Sequence, residues 1–258
     1  MTIEPELRQI HDAAEKGDLQ RLSDLLSANP SLINTTDDMG CCPLRYAAMN
    51  GHERAVELLL KLGANVNTQD DVAGWTALHS AASEGYAETV KILLEHDAEV
   101  NVVTVDEHHW TPTQLAAIQG HVLAVKLLLE HGADISVLDA EGCSLLQNAF
   151  SEAQAYRNEG DLENAGRLLK VMEILAISDA DNAVYHIEAA LEIIARYDNT
   201  GDMYQRGTLQ EYDQALKHLN QGRELKRKLG QDFDKHLDEL HGHIGMGYDL
   251  KSKKAAGK

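Results

Sequence analysis

Apolar residues in the first part of the chain fall in paired bursts, a short alanine-rich one and then a longer leucine-rich one. Ala47-Ala48 precedes Val56-Glu-Leu-Leu-Leu60, Ala81-Ala82 precedes Val90-Lys-Ile-Leu-Leu94, and Ala116-Ala117 precedes Val125-Lys-Leu-Leu-Leu129. Polar turns separate the bursts within each pair, at Gly51-His52, Gly85-Tyr86 and Gly120-His121. A further turn follows each pair, at Gly63-Ala-Asn-Val-Asn67, Asp97-Ala-Glu-Val-Asn101 and Gly132-Ala-Asp-Ile-Ser136. Apolar positions at helical spacing, closed by glycine, predict two short antiparallel helices per unit. The alanine pair leaves no bulk on one face, so a neighbouring helix can approach closely. The glycine supplies the left-handed residue of a C-cap, and Asp97, which replaces it once, tolerates positive φ better than most residues.

Each pair of bursts is announced by the sentence G-x-[ST]-x-L-x-x-A. It reads Gly40-Cys-Cys-Pro-Leu-Arg-Tyr-Ala47, Gly74-Trp-Thr-Ala-Leu-His-Ser-Ala81, His109-Trp-Thr-Pro-Thr-Gln-Leu-Ala116 and Gly142-Cys-Ser-Leu-Leu-Gln-Asn-Ala149, at intervals of 34, 35 and 33 residues. A fixed period of this size signals stacked supersecondary units. Thr76, Thr111 and Ser144 stand just before the apolar runs and are expected to cap helices.

This pattern resembles the ankyrin repeat over residues 5–150. The divergent stretch Ile10-His-Asp-Ala-Ala14, Gly17-Asp-Leu and Leu22-Ser-Asp-Leu-Leu26 fits a first repeat, since terminal repeats present one face to water. The resemblance implies an all-α ankyrin-repeat solenoid, with helix-turn-helix units joined by short β-hairpin loops. Its domain is expected over residues 1–149, with repeats at about 5–38, 39–72, 73–107, 108–140 and a partial one at 141–149. Arg45 and Gln114 replace the histidine seen as His79, and Thr113 replaces a core leucine; these departures are expected to loosen their repeats. Insertions before Gly74 and His109 lengthen the hairpins, and such loops often lie on the binding face.

Beyond Phe150 the order Ala153-x-x-Tyr156, Gly160-Asp-Leu-x-x-Ala165, Leu169, Met172 resembles tetratricopeptide repeats. Gly201-x-x-Tyr204, Ala215, Leu219 and Gly222 form a second copy, and Gly245-x-x-Tyr248 begins a third. Residues 181–204 are expected to form one long helix. A TPR-like helical domain is thus expected over 150–250, continuing the first half as one α-solenoid, with 251–258 a disordered basic tail. The alternative is that Gly142 to Leu175 is a fifth ankyrin repeat with an insertion between its helices.

Composition narrows the function. The net charge is −19 over 258 residues. Residues 1–140 hold 22 acids against 8 bases, so most of it sits in the ankyrin-like part. Such a field repels phosphate backbones and anionic membranes, so nucleic acid and membrane are poor partners and a basic protein surface is a better one. There is no long apolar run and no signal-peptide pattern, and three cysteines make no disulfide framework. A cytoplasmic, monomeric protein is expected. The nucleus, and non-classical delivery into a host cell, are also compatible.

The resemblance directs attention to hairpin tips and to the exposed edge of each first helix. Trp75 and Trp110, the two tryptophans of the chain, follow the opening residue of consecutive repeats and are expected side by side on the concave edge, where tryptophan is a frequent hot spot. By the same register Tyr46, Met49, Asn50, Ser80, Ser83, Glu84, Leu115, Ile118 and Gln119 surround them, with Asp70, Asp71, Asp106, Glu107 and His108 on the tips. Each of these has a bland explanation as packing or a solvated side chain; together they make the candidate protein-binding patch. Cys41 and Cys42 lack the positioned base a thiol nucleophile needs. Asp106, His108 and His109, and likewise His241 with His243, lack the ligand spacing of a closed metal site. No catalytic, cofactor or metal residue is assigned. A non-enzymatic adaptor, scaffold or inhibitor is expected, with two rivals: a regulatory subunit or pathogen effector covering a partner enzyme's active site, and an enzyme with an unrecognised site in the C-terminal half.

Overall fold

The structure is a computed structural model that describes residues 5–143 and 145–178. The chain divides into two compact units, Met1–Val171 and Met172–Lys258, and the described residues belong to the first, except 172–178, which belong to the second. The cap expected at Ser144, the helix over 181–204, the tetratricopeptide-like copies at Gly201 and Gly245, and the tail 251–258 lie outside the described residues.

Helices come in pairs at the expected places: α1 Pro5–Glu15 with α2 Leu19–Ala28, α3 Pro43–Met49 with α4 Glu53–Lys61, α5 Ala77–Glu84 with α6 Ala87–Glu95, α7 Pro112–Ile118 with α8 Val122–Glu130, and α9 Leu145–Asn158 with α10 Leu162–Ser178. A 3-10 turn over Pro30–Asn34 follows α2. The first helices stack in one row, α1 on α3, α3 on α5, α5 on α7 and α7 on α9; α2, α4, α6 and α8 stack in a second row. The alanine pairs Ala47-Ala48, Ala81-Ala82 and Ala116-Ala117 are fully buried in the first row. Val56, Leu59, Val90, Leu93, Val125 and Leu128 are fully buried along the second helices, each worth roughly 1.5–3 kcal/mol against exposure.

Three devices join one repeat to the next. At the helix-helix turns, His52, Tyr86 and His121, each next after a turn glycine, cover Gly17, Gly51 and Gly85 of the repeat before. A Cβ placed on Gly85, whose φ is +76°, would lie 2.4 Å from the His121 ring, so this position demands glycine both for its left-handed backbone and for space. His121 Nε2 then donates to the Ser83 carbonyl oxygen at 2.9 Å, as His52 Nε2 does to that of Glu15 at 2.8 Å. Behind the second helices runs an asparagine ladder. Asn34, Asn67 and Asn101 accept the amides of Asn65, Glu99 and Asp134 at 2.8, 2.9 and 2.8 Å. Their Nδ2 groups donate to the carbonyl oxygens of Gly63, Asp97 and Gly132.

The third device replaces the β-hairpins expected from the resemblance. Among the described residues there is no strand. Each loop is a tight turn whose ends are joined by a backbone bond, such as Asp70 N–H to the Trp75 carbonyl oxygen at 3.0 Å or Thr104 N–H to that of Trp110 at 2.9 Å, and the Asp37 and Asp139 turns add an inner bond from Gly40 and Gly142. One further bond runs to the preceding tip: Asp71 to Met39, Val105 to Ala73 and Ala140 to His108. Single stitches of this kind do not build a ladder.

Two of the departures expected to loosen the stack behave differently from each other. Thr76 accepts the His79 amide while His79 Nδ1 accepts the Thr76 amide at 3.2 Å, a reciprocal cap, and His79 Nε2 donates to the Trp110 carbonyl oxygen at 3.2 Å. Gln114 reproduces this with Thr111, its Oε1 accepting the Thr111 amide at 2.8 Å and its Nε2 reaching the Val137 carbonyl oxygen at 3.1 Å. Glutamine is therefore a working substitute for histidine, and that repeat is not loosened there. Thr113 is fully buried and its hydroxyl finds no partner, an expense of about 1–3 kcal/mol.

Candidate functional site: the face of tips and first helices

Each tip is held by an aspartate at its start. Asp37 Oδ1 accepts the amides of Met39 and Cys41 at 2.9 and 3.0 Å. Asp70 Oδ1 accepts those of Val72, Ala73 and Gly74 at 3.0, 2.7 and 3.0 Å, and Asp139 Oδ1 those of Glu141 and Cys143 at 3.0 and 2.8 Å. In the lengthened tip the job is split. Thr104 Oγ1 accepts the Trp110 amide at 2.9 Å and donates to Asp106, which accepts the His108 amide at 3.0 Å.

The second oxygen of the aspartate faces the first helix. Tyr46 donates its hydroxyl to Asp37 Oδ2 at 2.6 Å, and Asn148 its Nδ2 to Asp139 Oδ2 at 2.7 Å. The matching residue in the third repeat is Ser80, too short to reach, and Arg45 of the repeat before fills in with an ion pair to Asp70 Oδ2 at 3.0 Å. Its guanidinium also donates to Ser80 Oγ and Cys41 Sγ and lies 5.8 Å over the Trp75 ring. For Asp37 partial burial opposes ionisation, but the hydrogen bonds from Tyr46, Cys41 and Met39 outweigh it and hold the carboxyl below its ordinary range. Burial and the Asp37 hydrogen bond push the Tyr46 phenol the other way, upward.

These bonds correct part of the sequence reading. Asp70 is 6% exposed and is spent inside its own tip, so it is not a side chain offered at the edge. Asp106 and Tyr46 are half-buried and bonded as described. Ser80, Leu115 and Ile118 are buried on α5 and α7, because the first-helix row is covered more deeply by its neighbours than register alone suggests. Asp71, Glu84, Glu107, His108 and Gln119 are exposed, and Met49, Asn50, Ser83, Trp75 and Trp110 are partly so. The Asn50 side chain donates back to the Tyr46 carbonyl oxygen at 2.9 Å.

Of the predicted residues, His108, Trp110 and Ile118 converge on one cleft of about 180 Å³, where the fifth layer supplies Asp139, Ala140, Glu141, Asn148, Ser151 and Glu152. The His108 and Trp110 rings pack 5.0 Å apart, tilted by 31°. Sequence reasoning missed the fifth-layer residues. Ser151 and Glu152 stand nine and ten positions after Gly142, the offsets of Ser83 and Glu84 from Gly74. Carrying the register past Ala149 finds them.

The face has little reactive chemistry. Cys41 and Cys42 are 4% and 3% exposed, and burial raises both thiols above their ordinary pKa. Among the described residues no group of three or more His, Cys, Asp or Glu is clustered for a metal, and no helix is long and apolar enough to cross a membrane.

A family model described as ankyrin repeats (3 copies) matches residues 10–104 and 71–139, together half of the chain. The NAD-capped RNA hydrolase NUDT12 of Homo sapiens is 44% identical over 57 residues, 22% of this chain and 12% of that protein. The same protein of Macaca fascicularis matches equally. The transient receptor potential cation channel subfamily A member 1 of Drosophila melanogaster is 54% identical over 33 residues, 13% of this chain and 3% of that protein. The chain thus spans a small fraction of the length of these relatives, and the stretches shared are one or two repeats long.

Proposed function

The chain belongs to the ankyrin-repeat family, and from that premise we propose that it is a non-enzymatic protein-binding module, an adaptor, scaffold or inhibitor. Its partner carries a basic surface and docks on the face of tips and first helices. One observation supports this most: Trp75 and Trp110 stand one repeat apart in the same slot, partly exposed, on tips that hydrogen bonds hold in place beside the exposed acids Asp71, Glu84 and Glu107. A stack fixed at every junction loses little ordering entropy when it binds, and the negative field of its first 140 residues accelerates encounter with a cationic protein.

The tetratricopeptide-like reading of residues 150–250 belongs to the same proposal. Within the described part, which ends at residue 178, helix length alone supports it: α9 and α10 are 14 and 17 residues long, against 7 to 9 for α3 through α8. Yet α9 packs on α7, and Arg167 covers Gly120 as His121 covers Gly85, so this pair also continues the ankyrin stack. A cytoplasmic location and a monomeric state complete the reading.

The test is capture of a basic partner by the intact chain at low and high salt. Capture lost at high salt supports the acidic face as attractant; capture indifferent to salt counts against it.

A further inference from the structure

Resting on that reading, we propose that the cleft beneath Trp110 receives a single arginine side chain of the partner. At about 180 Å³ it is smaller than the roughly 300 Å³ at which sites for drug-sized ligands begin, so it suits one side chain. One wall is aromatic, the Trp110 indole beside the His108 ring, and a guanidinium stacks on such a plane. Glu141 and Glu152 are exposed on its border, and neither carboxylate is paired among the described residues. Asp139 is already occupied by Asn148 and two amides, so it adds field rather than recognition.

The chain carries its own precedent for this chemistry. One repeat earlier Trp75, in the same slot as Trp110, lies beneath the Arg45 guanidinium at 5.8 Å, while that guanidinium pairs with the Asp70 carboxylate at 3.0 Å. The residue corresponding to Arg45 in the next repeat is His79, fully buried and turned to the Trp110 carbonyl oxygen. Trp110 therefore has no arginine or lysine of this chain over it among the described residues, although its cleft offers an aromatic plane and free carboxylates, the two kinds of group that Arg45 meets in Trp75 and Asp70. A partner arginine completes in trans what Arg45 completes in cis.

The experiment follows the two indole N–H signals of the intact chain by NMR as N-acetyl-arginine methylamide is added, with the citrulline and N-acetyl-lysine analogues as controls. Expected is a saturable shift of the Trp110 signal alone, with a dissociation constant in the millimolar range. The uncharged citrulline probe leaves both signals in place, and the lysine probe binds about fivefold more weakly. The paired change Glu141→Gln and Glu152→Gln weakens the arginine probe about tenfold and leaves the Trp75 signal and the unfolding midpoint as they were. The proposal is overturned if no saturable shift occurs, if both indoles move together, if citrulline acts as arginine does, if lysine binds equally well, or if the paired variant binds normally. A chain that fails here but still captures a basic partner in a salt-sensitive way loses this inference only; one that captures none loses the wider reading.

Discussion

His79 links its own helix cap to the next repeat, and its protonation state follows from that position. Burial lowers its pKa to about 4 from 6.5, although its bond to the Trp110 carbonyl oxygen works the other way. The bonding pattern agrees, since Nε2 must donate to a carbonyl while Nδ1 accepts the Thr76 amide. In the unfolded chain the imidazole takes up its proton first, so this contribution is complete above pH 6.5 and is lost as pH falls from there to about 4. The full loss is about 3 kcal/mol. Gln114 shows what removes the titration without removing the bonds. His79→Gln is expected to leave stability at pH 7 within about 1 kcal/mol of the parent and to flatten the fall between pH 6.5 and 4, as denaturant unfolding across that range would report. At this scale the sequence told least. It marked Asp70 and Asp106 as edge residues, because an aspartate in a polar turn looks the same whether its carboxylate faces solvent or its own backbone amides.

The paired helices were legible because alanine, leucine and glycine recur with the period of the fold, and periodicity is a property of sequence. What joins one pair to the next was less so. Asn34, Asn67 and Asn101 recur at 33 and 34 residues, yet their partners lie in the following repeat, and only stacking brings them within 2.8–2.9 Å. Asn67→Ala is expected to destabilise the stack by about 1–2 kcal/mol, measured by chemical unfolding. The hairpins were overstated, since a resemblance supplies the average loop and these tips make single stitches. Glycines that look alike in sequence separate in structure. Gly85→Ala forces a Cβ into the His121 ring as well as straining φ, whereas Gly132, at φ +84°, has nothing within 4 Å. Gly85→Ala should therefore cost at least about 1 kcal/mol more than Gly132→Ala, and equal unfolding midpoints would show that the turn lacks the assigned contact.

For the molecule as a whole, family and charge point to recognition, while the candidate face depends on which letters of the repeat vary. Trp75 and Trp110 stood out because the chain's two tryptophans fill the slot after the opening residue in consecutive repeats. The share of the fifth layer in that face was hidden, because the repeat signature was followed only to Ala149 and the longer α9 carries the register onward. The two rings are held differently. Trp75 sits under Arg45 and beside His79, whereas the Trp110 ring packs on His108 of its own tip and its backbone carbonyl engages the preceding repeat. The most direct measurement of protein binding by this face is capture of a basic partner by the Trp75→Ala, Trp110→Ala chain against the parent, with both unfolding midpoints recorded. Capture lost while stability falls by no more than about 1–2 kcal/mol is the predicted result; capture retained in a chain without either indole would contradict it.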